Sequence, residues 1–563
     1  MNLLGKGNDK AFWSETVRNS DVYKFYRDDL FKNWNNLCEN DTMPDLKYTE
    51  YRLYGLTGDR GIFQKPYYRR RVQLETATIL ALIYPEEEKY INYAMDMIFI
   101  ICNEYSWCIP AHQPELLTKV NKTHLDLFAC ETAYTLSEVY TLLGDRLDTL
   151  IRELIKHEVK IRLVDSYIEH APFGWERSPH NWAAVCAGSV GCTFMLLFPE
   201  LFESVKDRIA ATMECYLSGF NDDGFCLEGT HYWHYGFGFF CAYAEMLRRF
   251  TDGKDNYFER EKIRTIATFI QKVYLSGTKS ISFSDGGESC VYQIGLLHFL
   301  KKEYPDDVVV YSPEYSYIYD GCGRFNWLVR AATWLDEDIY NNPAPDNCAA
   351  EYYGKDSRWM IKKTANYGFA GKSGHNSEPH NHNDVGSFII AKNNRQIFCD
   401  LGSGVYSQQY FGANTRYSFI ECSSLGHSVP YFGDIIQKTG ASYSATDTNY
   451  ENGIFSFDMA GAYGDERVIS IVRSFEFTED DITLTDKFVY NGDSPITERF
   501  VTKIAPVIEG STVTVDCVTA EFDENICAVE IKESITSKNV PVYFIDFTLK
   551  CDCKEFKIVF KTN

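Results

Sequence analysis

The spacing of apolar residues changes once along this 563-residue chain, near residue 340, and that change constrains the fold more than any other feature. Before it, apolar residues recur at every third or fourth position; residues 124–144 do so and end on Gly144, which suits a helix C-cap. After it, apolar and polar residues alternate, as in residues 467–492, the pattern of strands with one buried face. The sequence therefore predicts a helical domain followed by a β-domain.

The segment YNNPAPDNCA, residues 340–349, marks the boundary, because its two prolines cannot continue a helix. We predict one domain over residues 1–342, built from helical hairpins that short loops join. A second domain is predicted over residues 346–563. The fold class is thus α+β multidomain, with an antiparallel, β-sandwich-like second domain.

Charge and hydropathy exclude two classes of partner. The chain has 56 Lys and Arg against 79 Asp and Glu, a formal net charge of −23, so no nucleic-acid partner is expected. An anionic ligand would need local donors to overcome this field. No apolar run reaches the roughly 18–20 residues of a membrane span, so no membrane partner is expected either. The sequence does not indicate an oligomeric state.

The 18 cysteines are scattered without a C-x-x-C pair, which is typical of free thiols in a reducing compartment. The first residues, MNLLGKGNDKAFWSE, contain no apolar core of a signal peptide. We therefore expect a cytoplasmic protein, or a secreted or periplasmic one if a leader preceded the sequence given.

A first polar cluster lies in residues 173–188. His180, Asn181 and Trp182 follow Pro179 directly before an apolar helix, so they occupy a helix start. Backbone N–H groups at a helix start favour anionic ligands. The alternative is an N-cap asparagine beside a packed tryptophan.

A second cluster lies in residues 221–240, where an NDDG turn precedes an aromatic run. Aromatic rings with polar tips suit sugars, whose apolar faces stack while their hydroxyls need hydrogen-bond partners. The alternative is an aromatic face of a core helix. The polar and aromatic residues of this run are Glu228, His231, Tyr232, Trp233, His234 and Tyr235.

A third cluster is SEPHNHNDVGSFII, residues 377–390. In an extended segment His380 and His382 would share one face, because residues two apart point the same way. Asn393 and Asn394 signal a hairpin turn after the strand that follows.

That hairpin would pair Ser387 with Asp400, which brings the carboxylate to the end of the sheet where the histidines lie. His427 lies at another apparent strand edge. Two histidines and one carboxylate form a common ligand set for zinc or a similar divalent ion. Hydrogen-bonded loop histidines are the alternative.

Together these stretches resemble the heparinase II/III-type polysaccharide lyases. The resemblance is strongest at HNW, at EGTHYWHYG and at HNHNDVGSF with the aspartate and glycines that follow, and it extends from roughly residue 50 to residue 500. It implies an N-terminal (α/α) toroid and a C-terminal domain of antiparallel β-sheets.

The resemblance also implies roles for individual residues. Asn181 matches the position that neutralises the substrate carboxylate, and His180 beside it assists or acts as the base. Tyr235 matches the catalytic tyrosine, which either acts as both base and acid or supplies a proton while a histidine removes one. His380 matches a histidine that completes the active site from the β-domain. The implied metal ligands, mainly structural and with zinc favoured over manganese, are His382, Asp400 and His427.

The implied substrate is an anionic polysaccharide or oligosaccharide that contains uronic acid: hyaluronan, chondroitin sulfate or heparan sulfate. β-Elimination would leave a 4,5-unsaturated uronate. An alginate-type lyase is the nearest alternative, and an (α/α)-barrel glycoside hydrolase is a more distant one. The predicted substrate-binding residues are Trp182, Glu228, His231, Trp233, Arg416, Trp107 and His112. The basic residues Arg60 and Arg69 to Arg71 either bind sulfates and carboxylates or form an ordinary solvated helix start.

Overall fold

The computed structural model describes residues 2–39, 43–289, 291–312, 316–345, 349–550 and 553–563. Residues 346–348, where the second domain was predicted to begin, lie outside the described residues. By their contacts, the residues form two compact units. The first unit comprises Met1–Gly219, Trp233–Arg264 and Tyr292–Pro343. The second comprises Phe220–Tyr232, Thr265–Val291 and Ala344–Asn563.

The domain limits drawn from the sequence stay a prediction. The contact units differ from them in one respect: two segments that precede residue 342, 220–232 and 265–291, group with the second unit.

Helices form most of the first unit. The longer ones, α1 to α11, are Lys24–Asn33, Gly61–Ile83, Glu88–Cys102, Leu127–Leu143, Thr149–Val159, Asn181–Leu197, Lys206–Ser218, Gly238–Phe250, Glu261–Ala267, Ile294–Glu303 and Phe325–Thr333. Among the described residues, no helix is both long and apolar enough to cross a membrane.

These helices form an inner and an outer row, as expected for helical hairpins. Helices α11, α2, α4, α6 and α8 contact one another in that order, and α4 and α6 are buried over almost their whole length. Helices α3, α5 and α7 pack outside them. Helix α5 shows why: it buries only Ile151, Ile155 and Val159, four positions apart, and so presents a single apolar face.

Nineteen strands follow residue 349 in the described part of the second unit. In chain order β1 to β19 are Ala350–Gly354, Trp359–Lys363, Gly368–Lys372, His375–Asn376, Phe388–Lys392, Arg395–Phe398, Tyr431–Phe432, Gly440–Ser444, Thr446–Glu451, Ile454–Asp458, Val468–Phe477, Asp481–Tyr490, Ile496–Thr502, Val507–Glu509, Thr512–Val515, Val518–Phe522, Cys527–Ile535, Pro541–Leu549 and Glu555–Lys561.

These strands form three main antiparallel sheets, with orders β6-β5-β3-β2-β1, β7-β13-β18-β17 and β9-β10-β11-β12-β19-β16-β15-β14. Strands β8 and β4 form a separate pair. Phenylalanines join the sheets: the ring of Phe388 on β5 lies 5.4 Å from Phe475, 5.4 Å from Phe500 and 5.6 Å from Phe560. The three sheets therefore share one apolar core, as the β-sandwich prediction requires.

Two further short pairings lie earlier in the chain. Tyr274–Ser276 pairs antiparallel with Lys279–Ser280, and Tyr292–Gln293 pairs parallel with Ser316–Tyr317. All fifteen described cysteines are free thiols. The cytoplasmic location stays a prediction.

The hairpin signal at Asn393 and Asn394 is confirmed. Both residues have positive φ, 50° and 57°, as a tight hairpin turn between twisted strands requires. The register shifts by one residue beyond Gln396, so Phe398 pairs with Ile390. The predicted pairing of Ser387 with Asp400 is therefore wrong, because a bulge displaces it.

A buried ion cluster connects two of the three sheets. Arg473 on β11 is fully buried, and its guanidinium donates to Asp486 on β12 and to Glu498 on β13. It also donates to the carbonyls of Gly386 and Ser428 at 2.8 and 2.7 Å. One cation thus compensates two buried carboxylates.

We expect Arg473→Ala to lower the free energy of unfolding by on the order of 3–5 kcal/mol, because it leaves Asp486 and Glu498 buried without their cation. Urea denaturation followed by fluorescence measures the change. Arg395→Ala, which removes an exposed ion pair with Asp516, is the control and should change stability little. Equal effects of the two substitutions would contradict the assignment.

Candidate functional site

The predicted asparagine and tyrosine of the first unit lie on adjacent segments. Asn181 is the first residue of α6, and Tyr235 lies in the turn Trp233–Phe237 that leads into α8. A Cβ placed on Gly236 would lie 2.8 Å from the hydroxyl of Tyr216 and 3.2 Å from the Cα of Asn181, so a glycine there favours this close approach. Both side chains are buried. The helix start supplies a positive dipole end beside Asn181.

Two residues that the sequence analysis missed hold the tyrosine. The Tyr235 hydroxyl donates to a carboxylate oxygen of Glu131 on α4. Arg324, directly before α11, pairs with the other oxygen of Glu131 at 3.2 Å. Its guanidinium lies 3.9 Å from the centre of the Tyr235 ring. The phenol is therefore fixed in position by an anion and a cation together.

This environment keeps the phenol protonated. Burial and then the neighbouring Glu131 raise the pKa of Tyr235 well above its usual value, and Arg324 only partly opposes them. Tyr235 is thus a proton donor at neutral pH.

Two predicted substrate-binding residues of the first unit meet beside Asn181. The ring of His112 lies 4.7 Å from that of Trp182, and both side chains are half-buried. Nδ1 of His112 lies 2.8 Å from Oδ2 of Asp126, the residue that caps α4. Nε2 of His112 lies 3.4 Å from Nη2 of Arg60. An aromatic ring, an imidazole and a guanidinium thus share one surface.

Two other predicted residues are core residues in the structure. Trp107 is 1% exposed, donates its indole N–H to the carbonyl of Ile101 and packs under Arg162. Trp233 is fully buried among the rings of the same turn. Such burial leaves these two rings no surface on which a sugar could stack.

Two arginines of the basic stretch pair with a buried carboxylate of the protein itself. Arg70 and Arg71 both pair with the buried Glu104, at 3.0 and 2.7 Å. The interpretation of these two arginines as sulfate or carboxylate ligands is therefore wrong. Of the predicted basic residues, Arg60 lies beside a predicted site residue.

In the second unit, the stretch between β4 and β5 is irregular. His380 within it has a φ of +56°, a left-handed conformation that few non-glycine residues adopt. As a result His380 and His382 differ in exposure: the side chain of His380 is 23% exposed, and that of His382 is fully buried.

One carboxylate contacts both histidines. Asp285, which the sequence analysis missed, accepts from Nδ1 of His380 at 2.7 Å and from Nε2 of His382 at 3.1 Å. Tyr410 and Arg416 also donate to it, at 2.5 and 3.2 Å. Burial alone would raise the pKa of Asp285, but these hydrogen bonds, first those of the two histidines, hold it below its usual range.

The loop that carries Asp285 is fixed against the end of β6. Ser282 donates to the backbone carbonyl of Asp400 at 3.1 Å. A Cβ on Gly402 would lie 2.3 Å from the carbonyl oxygen of Gly286, so the two loops approach closely only because a glycine lies there. The position of Asp285 is thus tied to that of Asp400.

The predicted metal ligands come together. One ligand atom each from His382, Asp400 and His427 lies within 4.8 Å of the others, and all three side chains are buried. The Nε2 atoms of the histidines are engaged, with Asp285 and with the carbonyl of Glu421 at 2.9 Å. Nδ1 of His427 lies 2.8 Å from Oδ2 of Asp400, and Nδ1 of His382 has no hydrogen-bond partner among the described residues. Carboxylates and carbonyls that hold the second nitrogen of a histidine are typical of metal sites.

The other predicted residues of the second unit surround His380. Arg416 donates to the carbonyls of His380 and Asn381 as well as to Asp285, and it is buried. Glu228 lies 4.0 Å from Nε2 of His380. The ring of Tyr232 stacks on the imidazole of His380 with 4.3 Å between centroids.

His231 is exposed and lies against the glycine loop that carries Asp285; a Cβ on Gly287 would lie 2.6 Å from its ring.

The three residues that sequence analysis missed have weak signals. Glu131 lies inside an apolar helix, Arg324 at a helix start and Asp285 in a short SDGG turn. A charged residue within an otherwise apolar helix is the one signal that could have indicated Glu131, since such groups are seldom buried without a partner.

We expect Asp285→Ala to destabilise the protein by on the order of 3–5 kcal/mol, since it leaves the buried Arg416 without its anion. Urea unfolding measures the change, and Asp285→Asn should fall between the wild type and the alanine variant. Asp516→Ala, at an exposed carboxylate, is the control. A stability of Asp285→Ala equal to that of the control would contradict the central place of this carboxylate.

Solved structures give the fold of the whole chain. The heparan sulfate lyase HepC from Pedobacter heparinus aligns with a TM-score of 0.60 and 11% identity, over 98% of this chain and 85% of that one. A structure of heparinase III aligns with a TM-score of 0.60 and 13% identity, over 99% and 93%. The Streptomyces coelicolor A3 chondroitin AC lyase, in complex with chondroitin sulphate, aligns with 0.52 and 8%, over 95% and 82%.

No protein-family model and no curated protein matches the chain. At these identities the similarity establishes a shared fold. The predicted fold class, an (α/α) toroid followed by an antiparallel β-domain, is confirmed.

Proposed function

We propose that this protein is a polysaccharide lyase of the heparinase II/III type, which cleaves glycosaminoglycans that contain uronic acid by β-elimination. One observation carries the proposal: a buried tyrosine, fixed between Glu131 and Arg324, lies beside Asn181 at a helix start in a chain with the fold of known lyases. Hyaluronan, chondroitin sulfate and heparan sulfate are the proposed substrates.

The reaction begins at C5 of the uronate. When C5 loses its proton, negative charge develops on the adjacent carboxylate, and hydrogen-bond donors that stabilise this charge lower the barrier. Asn181 supplies an amide, and the start of α6 supplies a positive dipole end. His180 accepts from the backbone N–H of Trp182 through Nδ1, at 3.4 Å, so its Nε2 carries the proton and serves as a second donor. We therefore assign both residues to the carboxylate.

We assign the base to His380, the other histidine that the resemblance places in the active site. Because Nδ1–H of His380 donates to Asp285, the lone pair of the neutral ring is on Nε2. A half-exposed imidazole in this tautomer is suited to remove the C5 proton.

Tyr235 completes the elimination as the acid. Its raised pKa keeps the hydroxyl protonated, and the proton passes to O4 as the C4–O4 bond breaks and a double bond forms between C4 and C5. The products are a 4,5-unsaturated uronate and a new hydroxyl end. Glu131 and Arg324 orient the phenol.

A glycoside hydrolase needs two carboxylates on opposite sides of the cleaved bond. The acidic residues that could supply them are Glu176, Asp222, Asp223 and Glu228, and of these Glu176 pairs with Arg208 at 2.6 Å. Asp223 accepts from the backbone of Asp356 and Ser357 at 3.0 and 2.7 Å. Two of the four carboxylates are therefore engaged within the protein, which weakens the hydrolase alternative. The alginate alternative is disfavoured because the similar structures are named as heparan sulfate and chondroitin lyases.

Ultraviolet absorbance of the products tests the proposal. Incubation with hyaluronan, chondroitin sulfate, heparan sulfate and alginate should produce a conjugated unsaturated uronate from at least one glycosaminoglycan. Tyr235→Phe should lower the rate by at least about 10²-fold, the usual contribution of a general acid, without loss of folding. Tyr26→Phe, which removes a buried hydroxyl bound to the carbonyl of Leu328, is the control. Reducing ends without ultraviolet absorbance would indicate a hydrolase instead.

We further propose that His382, Asp400 and His427 hold a divalent metal ion, with zinc favoured. The fit is chemical: two buried Nδ1 atoms and one carboxylate converge, and Asp285 and Glu421 hold the remaining histidine nitrogens. The ion would fasten β6 to the irregular stretch that carries His380.

We expect His382→Ala to reduce the bound metal, measured by mass spectrometry of the purified protein, and to lower the melting temperature, because a structural ion contributes to folding stability. Chelator treatment should lower the melting temperature of the wild type and leave that of the variant unchanged. His157→Ala on α5 is the control. An unchanged metal content in His382→Ala would disprove the ligand assignment.

A further inference from the structure

The loop between Asp400 and Arg416 exposes two aromatic rings next to His380. Tyr406 is 39% exposed and Phe411 is 44% exposed, with 4.8 Å between their ring centroids. Large aromatic side chains gain free energy by burial, so two adjacent exposed rings form an apolar patch that a ligand can cover.

These rings are continuous with the proposed catalytic histidine. The Tyr406 hydroxyl lies 3.0 Å from that of Tyr232, whose ring stacks on His380. The ring of Phe411 lies 6.5 Å from that of His380 and nearly perpendicular to it. Tyr406 and Phe411 are thus exposed rings that adjoin the His380 site.

A cation lies at the start of the same loop. Lys538, in the turn between β17 and β18, is exposed and donates to the hydroxyl of Ser403 at 2.8 Å. No carboxylate lies within ion-pair distance of Lys538 among the residues that the structure describes.

The turn itself is firmly held. The Ser537 hydroxyl accepts from the backbone N–H of Val405 at 2.8 Å and donates to Glu421 at 2.6 Å. The hydrogen bonds of Ser537 thus hold the turn that carries Lys538 beside the aromatic loop.

We propose that Tyr406, Phe411 and Lys538 form an anionic-sugar subsite, in which the two rings stack on the apolar face of one sugar and Lys538 pairs with its carboxylate or sulfate. The inference rests on the proposed function, since the occupant is the sugar next to the cleaved bond.

The chemistry favours a glycosaminoglycan over a protein partner. The apolar part of this surface consists of two rings, whose area is far smaller than the roughly 1,000 Å² that a specific protein interface buries. Stacking on aromatic rings combined with a single cation matches a sugar that has one apolar face and one anionic group. In a chain of net charge −23, such a local cation also offsets the unfavourable field that an anionic substrate meets.

Isothermal titration tests the subsite. Chondroitin sulfate and heparan sulfate tetrasaccharides are titrated into the full chain carrying Tyr235→Phe, which blocks turnover. Adding Phe411→Ala or Tyr406→Ala should weaken binding about tenfold, through loss of a stacked ring. Lys538→Ala should weaken it about fivefold and reduce its salt dependence. Tyr406→Phe keeps the ring and should bind nearly as the parent does.

Lys557→Ala, at an exposed lysine on β19, is the matched control and should leave binding unchanged. Unchanged affinity in both Phe411→Ala and Lys538→Ala would overturn the subsite, as would a failure of both tetrasaccharides to bind the parent. The ultraviolet assay separates this result from the lyase proposal. If the wild type forms product but these substitutions do not change binding, the lyase proposal stands and the subsite is rejected. If binding depends on these residues but no product forms, the subsite stands and the lyase proposal is rejected.

Discussion

The carboxylate of Asp285 is buried, and four side chains donate to it: His380, His382, Tyr410 and Arg416. A buried carboxylate that lacked these donors would be costly, so the segments that supply them must all be in place when the second unit is folded. This constraint fixes the irregular stretch between β4 and β5 and the loop from Asp400 to Arg416. It also sets the tautomer of His380, on which the proposed base chemistry depends, and orients His382 toward the proposed metal.

The first unit uses the same physical device around a tyrosine. Glu131 accepts from Tyr235 and pairs with Arg324, so a buried anion is compensated by a hydroxyl and a guanidinium. Burial and the anion keep the phenol protonated, while the ring is held under the guanidinium. In both units a buried carboxylate orients a group that transfers a proton in the proposed reaction: Asp285 orients His380, and Glu131 orients Tyr235. Neither carboxylate lies in a recognisable motif.

Much of the fold was predictable because periodicity reports directly on burial. The apolar spacing of three to four in the first 340 residues and the alternation after them follow from helix and strand geometry. The hairpin at Asn393 and Asn394 was predictable because a tight turn needs positive φ there. The bulge after Gln396 was not, because it depends on how β5 and β6 pack in the sandwich. The burial of Trp107 under Arg162 and the pairing of Arg70 with Glu104 likewise depend on contacts between the loop after α3 and distant parts of the chain.

The sequence by itself determined the helical and the β fold classes and the hairpin, since these follow from local patterns of residue type and spacing. It also determined the short motifs that contain Asn181, Tyr235, His380 and the three proposed metal ligands. Only the tertiary structure decided what holds them. Asp285 is 95 residues from His380, and Glu131 is 104 residues from Tyr235. A hydrogen bond across such a separation leaves no periodic trace in the sequence, because it depends on the path of the folded chain and not on the spacing of the residues.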